Sequence, residues 1–395
     1  MRKVLIIPSW YPTENRPLEG SFFREQALAM KDLYEIKIFY PQSEERGRLS
    51  KLMSSLFYML RLKPEIEFLK DNYACEPEKY SFHYSGGIGR LRLGQKMLEW
   101  QCLAAFEKVL ETGWKPDVIH AQCTSPGGII SSFISKKYNV PFIITEHNIF
   151  LLHLYPEKIR TLMKSALENA RIVIAVSEHQ KKMILMQGIN CHPVVVGNMV
   201  DDSIFDIAPK KLKIFNILYI SYDHYIKDNE TFFRAVKMFQ QKMKDPFTVK
   251  ILGRNTMSDR SNTFENLRDN FDLGNQVEII EYVEREEIVK FFHETDVLVS
   301  TSIAETFGIS LCEALFCGVP IISTANGGVD EMITDRNGIK VRIQDEAAIC
   351  NALLKIFNKE IIFNPQEIRN SVINKFTKEI FRGKMDEIYS SALNP

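Results

Sequence analysis

Short apolar runs of strand length recur along this chain, separated by stretches of helical spacing. The runs are 3–7 (KVLII), 35–40 (EIKIFY), 117–120 (DVIH), 141–145 (PFIIT) and 171–176 (RIVIAV), then 215–220 (FNILYI), 247–252 (FTVKIL), 276–280 (QVEII), 296–300 (DVLVS) and 319–323 (VPIIS). Helical patterns lie between most of them, at 21–31, 97–112, 126–138, 157–169, 178–187, 229–244, 260–271, 285–294, 308–317 and 345–357. Strands that do not alternate polar with apolar are buried on both faces, which calls for a parallel sheet covered by helices. The series occurs twice, with a polar stretch at about 198–213 between. The expectation is two doubly wound α/β domains, 1–200 and 201–375. The tail, roughly 366–392, reads as helix, and its part from 376 to 395 is expected to return to the first domain. Residues 41–115 do not fit a compact alternation. Open parallel sheets bind ligands at the C-terminal ends of their strands, so the loops after each strand carry the chemistry.

Composition narrows the classes. The chain has 395 residues, 45% hydrophobic and 25% charged, an ordinary globular balance and enough length for two cores. Lys+Arg and Asp+Glu are 50 each, which argues against a nucleic-acid binder. The zero sum hides an asymmetry: residues 1–200 carry 26 Lys+Arg against 20 Asp+Glu, a net of +6, and the remainder balances it at −6. Seven cysteines, none in a C-x-x-C pair, read as reduced thiols of a cytoplasmic protein with no zinc site. No run approaches the ~20 apolar residues that a membrane helix needs.

The densest constellation is 296–331, DVLVSTSIAETFGISLCEALFCGVPIISTANGGVDE. A buried strand leads to a loop with Glu305 and Gly308, then a helix with Glu313, then a second strand and the turn at Gly327-Gly328. Free N–H groups at the helix start suit anions or hydroxyls. Two carboxylates beside them suit a ligand that presents sugar hydroxyls better than a bare phosphate. Elsewhere, Arg46–Lys63 holds five cations and no acid, with apolar residues at 49, 52, 53, 56, 57 and 60. A basic amphipathic helix of this kind is a candidate for contact with an anionic membrane surface.

The run E-T-F-G-I-S-L-C-E from Glu305 to Glu313, with the following A-L-F-C-G-V-P-I-I-S and G-G-x-x-E, resembles the signature of retaining glycosyltransferases of the GT4 family, which have the GT-B fold. Related blocks follow in order: Trp10-Tyr11-Pro12 with Gly20-x-Phe22-x-x-Glu25-Gln26, Asp117-Val118-Ile119-His120, Thr145-Glu146-His147, Gly197-Asn198-x-Val200-Asp201 and Phe376-x-x-Glu379. The resemblance implies two Rossmann-like domains facing a central cleft, the first binding the acceptor and the second the nucleotide-sugar donor. It implies that Glu313 holds the ribose hydroxyls and that Glu305, with the amides of Phe307, Gly308 and Ile309, addresses the donor sugar. It further implies that the Gly20 loop faces the diphosphate, that His147 lies near the donor sugar at a cleft rim, and that Tyr282-Val283 border the base. His120 is read as structural. The family commonly places an Arg and a Lys after the first strand of the second domain. Lys227 fits the lysine, while Tyr222 stands in the arginine position, and Arg254 is a further cation after a strand.

The catalytic candidates are therefore Glu305, His147 and Lys227. The expected activity is metal-independent, retaining transfer of a hexosyl group from a UDP- or GDP-linked sugar to a saccharide or lipid-linked saccharide, in surface polysaccharide biosynthesis. No Asp-x-Asp occurs to hold a bridging metal, and no cofactor is expected, the nucleotide-sugar being a co-substrate. The expected location is cytoplasmic, with Arg46–Lys63 the candidate for peripheral contact with the inner face of the membrane. The competing reading is a non-catalytic nucleotide-sugar binder, which Tyr222 keeps open. A dinucleotide oxidoreductase would need G-x-G-x-x-G after the first strand, where this chain has Pro8-Ser9-Trp10-Tyr11-Pro12.

Overall fold

The computed structural model describes the chain except for residues 18, 44–57, 59, 61–63, 70–72, 74–75, 85–91, 209–213, 255–262, 282, 284–286 and 395. It forms two compact units, Met1–Val196 with Arg382–Pro395, and Gly197–Phe381. The sequence boundaries were expected after 200 and 375.

The first unit holds β1 (Arg2–Pro8), α1 (Ser21–Met30), β2 (Tyr34–Ser43), β3 (Lys79–Tyr84), α2 (Arg92–Glu111), β4 (Val118–Gln122), α3 (Ile129–Tyr138), β5 (Phe142–Glu146), α4 (Glu157–Asn169), β6 (Ile172–Ala175), α5 (Glu178–Met186) and β7 (Val194–Val195). Its seven strands run in the order β3-β2-β1-β4-β5-β6-β7, with parallel pairing throughout. β4 and β5 are buried at every position, as unbroken apolar runs require. Leu5, Ile7, Phe39, Phe82, Phe106, Ile119 and Ile144 build one core, each fully buried side chain contributing about 1.5–3 kcal/mol.

The second unit holds β8 (Phe215–Tyr222), α6 (Asn229–Lys242), β9 (Phe247–Arg254), α7 (Thr263–Asn270), β10 (Val277–Ile280), α8 (Ile288–His293), β11 (Val297–Ser300), α9 (Ile309–Phe316), β12 (Ile321–Thr324), β13 (Gly338–Val341), α10 (Glu346–Phe357) and α11 (Pro365–Phe376). Its strand order is β10-β9-β8-β11-β12-β13, again all parallel. The order reverses at the β8/β11 pair, where both strands' outgoing loops meet.

Three strands were not anticipated. β7 and β13 are short edge strands of two and four residues, and β3 pairs with β2 inside the stretch that broke the expected alternation. The polar stretch at 198–213 is tied down where it is described. Val200 donates to the Phe376 carbonyl at 2.8 Å, Phe205 is buried, and the Arg369 guanidinium donates to the carbonyls of Phe205 and Phe316 at 2.5 Å. The tail is two helices rather than one. Asn364 caps α11, accepting from the N–H groups of Gln366 and Glu367, with Pro365 at the first helical position. Thr377 then turns extended (φ −68°, ψ 160°) and pairs with Val200, and α12 (Lys378–Leu393) begins afresh. From Arg382 onward α12 belongs to the first unit, where Asp386 accepts from the Tyr34 hydroxyl at 2.7 Å and Arg382 pairs with Asp32 at 3.3 Å.

The basic segment Arg46–Lys63 lies outside the described residues apart from Tyr58 and Leu60. Among the described residues no helix is long and apolar enough to cross a membrane, and the six described cysteines are free thiols.

Candidate active site

In the second unit the loops leaving β8 and β11 are laced together. The Ile303 N–H donates to the Ile226 carbonyl at 2.7 Å, and the Thr301 hydroxyl donates to the Lys227 carbonyl at 2.8 Å. This lacing sets Lys227 against Glu305, 78 residues apart in sequence. Nζ reaches Oε1 at 2.6 Å, with the two side chains only 18% and 16% exposed. The Ser302 hydroxyl donates to the same Oε1 at 2.8 Å. Lys227 Nζ also lies 5.2 Å from the ring centroid of Tyr222, so the arginine position holds a ring face toward the lysine. Arg254 pairs in register with Tyr222, while its side chain lies outside the described atoms.

Close backbone approach shapes the rest of the loop. Gly308 precedes α9 in the left-handed region (φ +79°), and a Cβ there would meet Val329 Cγ1 at 2.7 Å. A Cβ on Gly328 would sit 2.0 Å from the Glu305 carbonyl oxygen, so the Gly327-Gly328 turn fits directly beneath the Glu305 loop. The Ile309 and Ser310 amides of α9 have no acceptor inside the helix, whereas those of Leu311 and Cys312 donate to the Gly308 carbonyl at 3.1 Å. Glu313, on the second turn of α9, is 1% exposed and therefore not a solvated helix charge. Phe307 is buried edge-on against Phe376, with ring centroids 5.1 Å apart, so its side chain serves packing and leaves only its backbone to a ligand. Val283 is half-buried after β10; Tyr282 lies outside the described residues.

In the first unit a second cluster occupies the ends of β4 and β5. Glu146 is buried, and its carboxylate accepts four hydrogen bonds. Oε2 takes the N–H and hydroxyl of Thr124 at 2.9 and 2.6 Å, and Oε1 takes the N–H groups of His147 and Asn148 at 3.0 and 2.8 Å. His147 is not at a rim but 8% exposed, its ring packed 5.1 Å from Phe22 and 4.9 Å from Phe23. His120 is a satisfied core histidine, as expected: Nδ1 bonds the Tyr389 hydroxyl at 2.8 Å and Nε2 the Thr145 hydroxyl at 2.7 Å. Burial depresses both imidazoles to about 3, so both are neutral near pH 7. Gly20 is required locally. It has φ +70°, and a Cβ would meet the Trp10 carbonyl at 2.8 Å. That packing accounts for the glycine without any ligand.

Gln122 and Glu146 were missed as site residues. The signal for Glu146 was a carboxylate closing a largely apolar buried strand; Gln122 had no signal beyond its position at a strand end. Among the described residues no group of three or more His, Cys, Asp or Glu could hold a metal ion.

Known proteins match both halves. The sequence profile described as Glycosyl transferases group 1 matches residues 200–378, and that described as Glycosyltransferase Family 4 matches residues 69–204. The chain is 20% identical over 378 residues to the putative teichuronic acid biosynthesis glycosyltransferase TuaC of Bacillus subtilis, covering 92% of this chain and 91% of the relative. It is 24% identical over 251 residues to an uncharacterized glycosyltransferase of Methanocaldococcus jannaschii, covering 62% of this chain and 66% of the relative, just under two thirds. Among solved structures, a sucrose-phosphate synthase from Thermosynechococcus elongatus is similar with a TM-score of 0.74 at 17% identity, covering 98% of both chains. Anabaena HepE, solved in complex with UDP and glucose, has a TM-score of 0.73 at 15% identity, covering 99% of this chain and 100% of the other.

Proposed function

The chain belongs to glycosyltransferase family 4 and has the GT-B fold; on that footing we propose that it transfers a hexosyl group, with retention, from a UDP- or GDP-linked sugar to a saccharide or lipid-linked saccharide. The observation that carries this reading is the Lys227–Glu305 pair at the β8/β11 strand ends, beside the helix start at Gly308. Lys227 and the first amides of α9 carry the charge of the departing diphosphate, without a bridging metal. Glu305, freed from the lysine by the incoming phosphate, accepts hydroxyls of the donor sugar, and Glu313 accepts those of the ribose. His147, being neutral, works as a hydrogen-bond acceptor for a substrate hydroxyl rather than as an acid.

In the transfer step the bond between anomeric carbon and phosphate oxygen breaks. The acceptor oxygen bonds to that carbon on the same face, and the acceptor proton passes to the leaving phosphate oxygen. The likeness to TuaC across nine-tenths of both chains supports a role in surface polysaccharide assembly. A thermal-shift screen of UDP-, GDP- and ADP-sugars tests the donor: a ligand at 100 times its Kd stabilises by about 2.7 kcal/mol. NMR of the anomeric configuration then tests retention, and an inverted product refutes it.

A further inference from the structure

The two buried histidines of the first unit differ in one respect. His120 uses both ring nitrogens, whereas His147 uses one. Its Nε2 lies 2.8 Å from the Gln122 side-chain oxygen Oε1, and its Nδ1 has no partner among the described residues although it is buried. A neutral imidazole has one N–H and one bare lone pair, so an acceptor at Nε2 decides where the proton sits.

Gln122 is well held for that task. It is 1% exposed, ends β4, pairs in register with Pro8 and Thr145, and its carbonyl accepts from the Ser9 N–H at 3.0 Å. The histidine is held as firmly. Glu146 clamps the N–H groups of His147 and of the next residue, and Phe22 and Phe23 flank the ring. With the backbone and ring plane set, the remaining variable is the tautomer.

We propose that Gln122 is a positioning residue: by accepting the Nε2 proton of His147 it keeps the lone pair on Nδ1, where it accepts a substrate hydroxyl. The proposal rests on the role given to His147 above.

The test reads the tautomer directly by ¹⁵N NMR of the histidine-labelled full chain, with the His147 signals identified by their loss in His147→Ala. The wild type is expected to show a protonated Nε2 and a bare Nδ1. Gln122→Met, similar in shape but without the carbonyl, is expected to give mixed tautomers. It should also lower kcat about 10-fold or more for hydrolysis of the best-stabilising nucleotide-sugar, with KM little changed. Gln122→Glu, an acceptor only, should retain the Nε2 proton and shift its Nε2 resonance; if the Met variant does not fold, an unchanged His147 spectrum in the Glu variant overturns the proposal. A wild-type proton on Nδ1, or a Met variant with one Nε2–H tautomer and undiminished kcat, overturns the proposal. A changed tautomer with unchanged kcat overturns the role of His147 itself, and the proposal with it. The donor reading at Lys227–Glu305 is judged separately by the thermal-shift screen.

Discussion

The two strand-end clusters solve different problems with similar architecture. In the first unit, His120, His147 and Gln122 are buried and uncharged, and the one carboxylate, Glu146, is satisfied by four donors. In the second unit, Lys227 and Glu305 are charged and part-exposed, and they hold each other by a single short contact that also involves Ser302. A buried network offers fixed hydrogen bonds, and its imidazoles keep their uncharged state near neutral pH. An accessible ion pair can exchange partners, because an incoming anion competes for the lysine while water screens the loss. On the proposed reading, the first cluster orients and the second handles charge.

The largest expected effect tests the charged cluster. Glu305→Ala should lower transfer by about 10²–10³-fold, the range for removing an electrostatic partner of the transition state. Near-normal turnover in a steady-state assay would remove Glu305 from the site. The buried cluster should respond in stability as well as in turnover. Glu146→Ala strands two N–H groups flanking His147 and both donors of Thr124, a loss of about 3 kcal/mol or more in urea denaturation. A loss below about 1 kcal/mol would mean that water replaces the carboxylate.

Acid separates the clusters further. For His120 and His147 the folded-state value is about 3 against an ordinary 6.5, so between those limits the unfolded chain binds more protons. Stability therefore falls as pH drops below about 6.5, by about 2 kcal/mol per histidine at pH 5. Denaturation at pH 7 and pH 5 measures this, and His120→Gln should remove about half of the difference. An unchanged difference would show that these imidazoles are not the cause. The smallest effect is Tyr389→Phe, which leaves His120 Nδ1 unpaired and should cost about 1 kcal/mol. No measurable cost would mean that this bond is not what ties α12 to β4.

The sheets were legible because strands of a covered parallel sheet read as short, mostly apolar runs, and the ten such runs correspond to ten strands. Edge strands such as Val194–Val195 need so few apolar residues that they leave no run to read. The helix break at Thr377 was illegible because a partner, Val200, 177 residues away, stabilises the extended residue. At the site, the resemblance singled out Glu305 and Glu313 from their spacing and Lys227 from its place after the first strand of the second domain. It did not reveal that the lysine rests on the first glutamate, nor that Tyr222 offers that lysine its ring.

Local order in the chain was thus enough to specify ten of the thirteen segments that become strands, and which carboxylates stand near a helix start. Those properties depend on near neighbours: the burial period and the free amides of a first turn. Pairing and protonation were decided only on folding. Lys227 meets Glu305, and Gln122 meets His147, because parallel strands set distant residues side by side. Neutral imidazoles follow from burial, which no single position along the chain expresses.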